Sequence, residues 1–484
     1  METGMEKLQL SELQQRYAEP PDLEQLEAAL SGALQQNPGK IIVLDDDPTG
    51  VQTVHGVTVI TDWEIGSIRQ GFLTPEKIFF ILTNSRSFTR AETEAVHREI
   101  ASNIIAVSRE LNRDYILVSR GDSTLRGHYP LETEVLRHTL EGSGEDSFDG
   151  EILCPFFKEG GRFTADNIHY VSDQGGLTPC GETEFARDRT FGYKASELGQ
   201  WVEEQTAGAF PRDSVTMISL EELRSGGTAA IAGKLKAVTG FNKVVVNALD
   251  YCDLTVFCTA LYAALAEGKR YLYRTAASFV RVLGGVSAAP LLTAAQLPGP
   301  PGGRGGLIVA GSHTAKTTAQ LEQLGLSGAA VMLEFNQHLL IEPEEIAERE
   351  IQRVIQECTR LLEQNKTVAL CTRRERLDLN SGNKEDELRI AVRISDALTG
   401  IVASLPVSPR FIIAKGGITS SDIGTKALMV RQAVVAGQIK PGIPVWICGE
   451  ESRFPQLPYV IFPGNVGEET TLREIVEELN PCGK

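Results

Sequence analysis

Ile41-Ile42-Val43-Leu44-Asp45-Asp46-Asp47-Pro48-Thr49-Gly50 is the stretch that decides the fold. Four consecutive apolar residues without alternation mark a strand buried on both faces, as in a parallel sheet covered by helices. The run ends abruptly in three carboxylates and a Pro-Thr-Gly turn. In open α/β sheets ligands lie beyond the carboxyl ends of the strands, so this turn is a candidate site. Upstream, residues 1–38 are expected to form a helical N-terminal extension. Their leucines fall at helical spacing (Leu8, Leu10 and Leu13, then Leu23, Leu26, Leu30 and Leu34) and stop at the breaker Asn37-Pro38-Gly39. Downstream, apolar runs at Ile78–Leu82, Tyr115–Ser119, Glu151–Cys154, Val215–Ser219 and Lys243–Asn247 alternate with helical stretches such as Ala91–Leu111 and Asp253–Gly268. That alternation predicts a wound α/β domain over residues 39–283.

Residues 284–306 end in Pro298-Gly299-Pro300-Pro301-Gly302-Gly303-Arg304-Gly305-Gly306, which suits neither a helix nor a central strand and is expected to be a hinge or linker. A second alternation follows over 307–484. Its expected strands are Leu307–Ala310, Val331–Glu334, Thr367–Cys371, Phe411–Ala414, Val445–Cys448 and Tyr459–Phe462, and its expected helices include Pro343–Gln364, Glu385–Leu405 and Ser421–Val430. The expected architecture is two α/β domains with largely parallel sheets and an active site in the interdomain cleft. The length of 484 residues accommodates both, and 42% apolar with 23% charged residues is an ordinary globular balance. A net charge of −17 argues against nucleic acid and anionic membrane surfaces as partners. No apolar run reaches the ~20 residues of a membrane span, and the start lacks a signal-peptide core. Eight scattered cysteines without metal-ligand spacing read as reduced core residues of a cytoplasmic protein.

Three strand ends in the first domain carry polar loops: Asp45 to Gly50, Thr83-Asn84-Ser85-Arg86-Ser87, and Ser119-Arg120-Gly121-Asp122-Ser123-Thr124-Leu125-Arg126-Gly127. Ordering three adjacent carboxylates requires donors, a metal or a polyol. Arginine grips a carboxylate in a fork and aspartate accepts from hydroxyls, so the set suits a small hydroxylated acid. A further glycine-bearing loop holds Lys158, Arg162 and Asp166. The second domain repeats another theme, a strand followed by small residues and a helix. It occurs at Gly311-Ser312-His313-Thr314, at Lys415-Gly416-Gly417-Ile418-Thr419-Ser420, and at Pro463-Gly464-Asn465-Val466-Gly467. Small residues let backbone amides approach phosphate, although Ser, Thr and Gly are equally ordinary helix caps. No Walker A loop and no Gly-x-Gly-x-x-Gly after the first strand is present.

Leu44 to Thr53, Gly121 to Gly127, Lys415 to Ser420 and Pro463 to Gly467, in that order, resemble the four-carbon acid sugar kinase family. The resemblance implies an N-terminal sugar-acid-binding domain and a C-terminal nucleotide-binding domain. It also implies ATP-dependent phosphorylation of the terminal hydroxyl of threonate, erythronate or 3-oxo-tetronate, with Mg²⁺ bridging the phosphates. By motif, Asp45, Asp46, Thr49, Arg86, Arg120, Asp122, Ser123 and Arg126 would hold the substrate, with Asp46 or Asp122 as the catalytic carboxylate. Ser312, Gly416, Gly417, Ile418, Thr419, Gly464, Asn465 and Gly467 would hold ATP. The metal ligands stay unassigned, since Ile418 stands where the family often has Glu. Two other classes share these features: a regulator that binds nucleotide and sugar acid without turnover, and a metal-dependent sugar-acid dehydratase or aldolase. A homodimer is compatible with the class, and no stretch locates an interface.

Overall fold

A computed structural model describes residues 8–37, 39–173, 176–297, 299–375, 377, 384–464 and 466–480, with side chains of 384–388 left aside. The chain divides into two units, the first running to Gly50 and then Asp62–Ala288, the second holding Val51–Thr61 and the chain from Ala289 onward.

The first unit is built on seven parallel strands in the spatial order Ile78–Leu82, Lys40–Asp45, Tyr115–Arg120, Tyr271–Thr275, Gly150–Cys154, Asn242–Val246 and Thr216–Ile218. The Lys40–Asp45 strand is buried along its whole length, as its unbroken apolar run predicts. Its register sets Asp45 opposite both Leu82 and Arg120, so three strand ends finish level. Between them run capped helices. In Arg90–Leu111, Thr89 and Glu92 form a reciprocal capping box, and Asn112 closes the other end in the left-handed conformation. A three-stranded antiparallel sheet of Arg162–Ala165, Ile168–Asp173 and Gly176–Pro179 sits beside this core and was not anticipated. The N-terminal extension is part of the same unit. Its helix Leu23–Gln35 packs on helix Tyr251–Ala266, with Leu30 buried. Pro38 lies outside the described residues.

The second unit has five parallel strands, Val331–Phe335, Val368–Thr372, Leu307–Ala310, Ile412–Lys415 and Pro458–Phe462, followed by the antiparallel strands Ile443–Cys448, Gln432–Lys440 and Val57–Ile60. Three expectations change here. Residues 39–283 do not form one uninterrupted stretch, because Val57–Ile60 pairs with Gln432–Val435 and is fastened by Gly56 N–H to Val435 O (2.7 Å) and Thr61 N–H to Arg431 O (3.0 Å). The glycine-rich run is also more than a tether. Arg304 N–H donates to Ser408 O (2.9 Å), and Arg410 N–H and Val368 N–H donate to Gly305 O and Gly306 O (2.9 and 2.8 Å), which docks it on the second unit. The expected helix Ser421–Val430 instead begins as Gly417–Asp422 and widens into a π turn over Ile423–Ala427. Among the described residues no helix is long and apolar enough to cross a membrane, and seven cysteines are free and buried.

One cross-strand pair tests how the first core is held. Lys243 and Glu151 are register partners, both fully buried and in contact, with the ammonium 3.9 Å from the Phe241 ring centre. Lys243→Met strands a carboxylate in the core and should lower stability by about 3–5 kcal/mol, whereas Lys243→Met with Glu151→Leu should recover most of it. Urea unfolding of the three chains measures the difference.

Candidate functional site

The level strand ends of the first unit gather charge. Asp45 and Asp46 are only 2% and 3% exposed and Arg120 is 4% exposed. Arg120 Nη1 lies 3.2 Å from Asp45 Oδ1 and 3.4 Å from Asp46 Oδ1. Arg86 grips Asp46 as a fork, Nη2 to Oδ1 at 2.6 Å and Nε to Oδ2 at 3.0 Å, and reaches Asp47 Oδ2 at 3.4 Å. Asp47 in turn accepts from Thr49 N–H (2.8 Å) and Thr49 Oγ1 (2.6 Å), which shapes the Pro48–Val51 turn. Of donors, metal and polyol as ways to order the triple aspartate, the arginine donors are therefore supplied by the chain itself. Burial pushes the Asp45 carboxyl up to about 7 despite Arg120. Burial also works against ionised Asp47, but Arg86 and the Thr49 donors outweigh it and hold Asp47 below the ordinary carboxylate range.

The Gly121–Gly127 loop continues the network. Asp122 accepts from Arg126 Nε (2.7 Å) and from the Thr124 hydroxyl. Burial would raise this carboxyl, yet Arg86, Arg126 and Thr124 together hold it far below its ordinary value. The Arg126 guanidinium lies 5.1 Å from the Phe185 ring centre, and Arg162 lies 5.7 Å from the same ring, so the second polar loop joins the first through one aromatic face. Ser123 is buried, and its carbonyl accepts from His169 Nε2 (2.8 Å) while Thr164 Oγ1 donates to Nδ1 (2.9 Å). Burial lowers His169 to about 4, consistent with this neutral tautomer. Asn84 and Leu125, one in each flanking loop, hold left-handed backbone (φ 55° and 68°), the local strain that surrounding structure sustains at binding sites.

Arg274 was missed in the sequence. It is the penultimate residue of the strand Tyr271–Thr275, is 6% exposed, and donates through Nη2 to Arg126 O (2.8 Å). A Cβ at Gly121 would lie 1.2 Å from Arg274 Nη1, so a side chain there would have to displace this guanidinium. Likewise a Cβ at Gly50 would lie 2.0 Å from Asp45 Oδ2. Arg274, Thr275, Trp201 and Asp122 line a cavity of about 10 Å³. Arg274 Nε, Thr275 Oγ1 and Trp201 Nε1 are buried without a hydrogen-bond partner, a donor set that suits one bound water.

In the second unit the three small-residue loops converge on neighbouring strand ends. Thr314 caps helix Ala315–Ser327, and Ser312 Oγ lies 3.3 Å from Thr314 Oγ1. Thr419 Oγ1 is within 3.4 Å of the place a Gly311 Cβ would take, so the Gly416–Thr419 turn abuts the Ser312 loop. Gly416 N–H donates to Phe462 O (2.8 Å), joining the turn to the Pro463–Gly464 segment. Gln320 ties that segment back to the first helix through Val466 O (3.3 Å) and Glu468 O (2.8 Å). Gly464 has open space where a Cβ would point, Gly467 holds φ 81°, and Ile418 is 67% exposed. Asn465 lies outside the described residues. Two cations escaped the sequence reading. Arg374 Nη2 donates to Ser312 O (2.7 Å) and Thr318 Oγ1 (2.8 Å), leaving Nε and Nη1 buried and unpartnered. Lys415, quoted in the motif but given no role, is fully buried. Among the described residues no three His, Cys, Asp or Glu side chains are disposed to hold a metal.

These features define a two-unit α/β protein with an arginine–carboxylate cluster at strand ends of the first unit and glycine-rich loops at strand ends of the second. Residues 41–283 match the model of a sugar-binding N-terminal domain, and residues 307–472 match that of a nucleotide-binding C-terminal domain. The chain belongs to the four-carbon acid sugar kinase family. It is 27% identical over 460 residues to D-erythronate kinase of Heliobacterium modesticaldum, covering 91% of this chain and 97% of that one. Two solved structures share the fold. A Haemophilus influenzae protein has a TM-score of 0.59 at 18% identity, covering 90% of this chain and 99% of its own. A Salmonella typhimurium LT2 protein has a TM-score of 0.63 at 16% identity, covering 90% and 97%.

The raised Asp45 carboxyl gives a signed stability test. Its folded value of about 7 stands above the ordinary ~3.9 of an unfolded chain, so the folded state binds the extra proton between them. Stability contributed by this group falls as pH rises from about 4 to about 7 and levels off above. Urea unfolding across that window should show the falling component in the natural chain and lose it in Asp45→Asn.

Proposed function

We propose that the protein is an ATP-dependent kinase that phosphorylates the terminal hydroxyl of a four-carbon sugar acid of the threonate, erythronate or 3-oxo-tetronate type. The observation that carries this reading is the meeting of Asp45, Asp46, Asp122, Arg86, Arg120 and Arg126 at one sheet edge in a chain of this family. Arg86, Arg120 and Arg126 are the groups to hold the substrate carboxylate, and Asp45, Thr49 and Ser123 to meet its hydroxyls. Asp46 or Asp122 orients the attacking hydroxyl. Phosphoryl transfer passes through a loose transition state in which the proton leaves late, so a carboxylate as weakly basic as Asp122 suffices for that role.

In the second unit, Ser312, the Gly416–Thr419 turn, Gly464 and Gly467 are the groups to cradle ATP, with Asn465 on the same loop. The unpartnered Nε and Nη1 of Arg374 beside Ser312 fit an anionic ligand there. Mg²⁺, when bound, neutralises charge on the nucleotide phosphates. This ion usually keeps several waters and binds through the phosphates of its nucleotide, so phosphate oxygens and water would hold it here. The buried, reduced cysteines suit a cytoplasmic enzyme.

The test is ADP release over a panel of threonate, erythronate, their 3-oxo forms and longer sugar acids. Turnover that depends on a four-carbon acid is expected, with kcat about 10²–10⁴-fold lower in Asp46→Ala or Asp122→Ala, whichever orients the hydroxyl. Nucleotide binding without turnover across the panel would instead assign the chain to the sensors, and a kcat within a few-fold of normal in both variants would remove the carboxylate role.

A further inference from the structure

Three lysines among the described residues are buried, and they are satisfied differently. Lys243 has the carboxylate of Glu151. Lys40 has three oxygens, the carbonyls of Thr74 (2.6 Å) and Glu76 and the Thr74 hydroxyl (3.1 Å). Lys415 has one, the carbonyl of Pro463, 3.0 Å from Nζ. Its stem lies among Ala310 and Phe462, its register partners, with the ammonium 3.8 Å from the Phe462 ring centre. Among the described residues no carboxylate lies within 4.0 Å of it, although an ammonium carries three donors and a full charge. A cation taken out of water without a counter-charge is among the costliest arrangements a protein interior holds. This one stands at the junction of the two loops assigned above to ATP phosphate, Gly416–Thr419 directly following it and Pro463–Gly464 accepting from it.

We propose that Lys415 is a positioning cation of the nucleotide site, which orients the Pro463–Gly464 turn through the Pro463 carbonyl and acquires its counter-charge from the polyphosphate. The inference rests on the nucleotide reading of these loops. The ionisable groups on the surrounding elements are Lys316, His313, Arg374, Asp422 and Glu468. Asp422 is taken by Ser395 (2.6 Å) and Lys426 (2.8 Å), and His313 Nε2 faces Arg373 O (3.1 Å). Burial lowers the Lys415 ammonium to about 7, and Lys316 pushes the same way. A phosphate beside it reverses that balance, so binding at alkaline pH must bring a proton in with the nucleotide.

The experiment is calorimetric titration of the full chain with ADP in buffers of different ionisation heat, at pH 8, where the ADP phosphates are already ionised. The natural chain should take up more than about half a proton per ADP at pH 8 and much less at pH 6. Lys415→Met should abolish the uptake and weaken ADP at least about tenfold, and Lys415→Arg, permanently charged, should abolish the uptake while restoring part of the affinity. A merely structural lysine would leave proton uptake at zero in the natural chain. Buffer-independent heats there, or uptake unchanged in Lys415→Met, overturn the inference alone. Absence of binding to ADP and ATP in the natural chain overturns the nucleotide reading and this inference with it.

Discussion

Three adjacent carboxylates at the end of a strand buried on both faces are the constraint around which the first unit is arranged. Asp45, Asp46 and Asp47 cannot all be ionised there without nearby cations, and Arg86, beyond the end of one neighbouring strand, and Arg120, the last residue of the other, supply two. With the next loop, Asp45, Asp46, Asp47 and Asp122 are set among Arg86, Arg120, Arg126 and Arg274, so cations are concentrated here in a chain whose total is −17. The Asp45 carboxyl, raised by burial, marks where compensation is thinnest.

This cluster dictates backbone as well as charge. Buried ion pairs return little net stability once desolvation is counted, so a network this large must be held by geometry. Parallel register brings Asp45 and Arg120 level on adjacent strands. The guanidinium of Arg274 occupies the space a side chain at Gly121 would need, and Asp45 occupies that at Gly50. Two glycines that look like ordinary turn residues are therefore consequences of where the charges lie.

What the sequence discloses follows from the same physics. Continuous apolar runs announced Lys40–Asp45, Ile78–Leu82 and Leu307–Ala310, because strands buried on both faces have no polar alternation to blur them. The strand Tyr271–Thr275 is a short mixture of aromatic and polar residues with an arginine inside, and Arg274 was lost with it. Gln432–Lys440 alternates between buried and open positions, a weak signal over nine residues that include a glycine. The excursion of Val57–Ile60 into the second unit is a long-range pairing with Gln432–Val435, and nothing local in Val57-Thr58-Val59-Ile60 specifies a partner so far along the chain. The gathering of Asp45, Asp46, Arg86, Arg120, Asp122 and Arg126 was legible because loops at strand ends concentrate polar groups. Arg374 and Lys415 were not, since a single cation next to apolar strand residues looks like an accident of composition.

The two units dispose their cations in opposite ways. In the first, cations are abundant and already engaged by carboxylates, so an acid entering there would have to compete for guanidinium donors and exchange one set of ion pairs for another. In the second, the strand ends offer small residues and backbone amides, with Arg374 and Lys415 close by and, among the described residues, no carboxylate in an ion pair with either. Exchange favours discrimination, because a ligand must reproduce the spacing of the groups it displaces. Unanswered cations favour a highly charged ligand of generic shape, for which total charge matters more than the placement of each hydroxyl. The first arrangement suits recognition of one small hydroxylated acid and the second suits a polyphosphate. The overall charge of the chain bears on neither, because both effects are decided within a few ångströms of the strand ends.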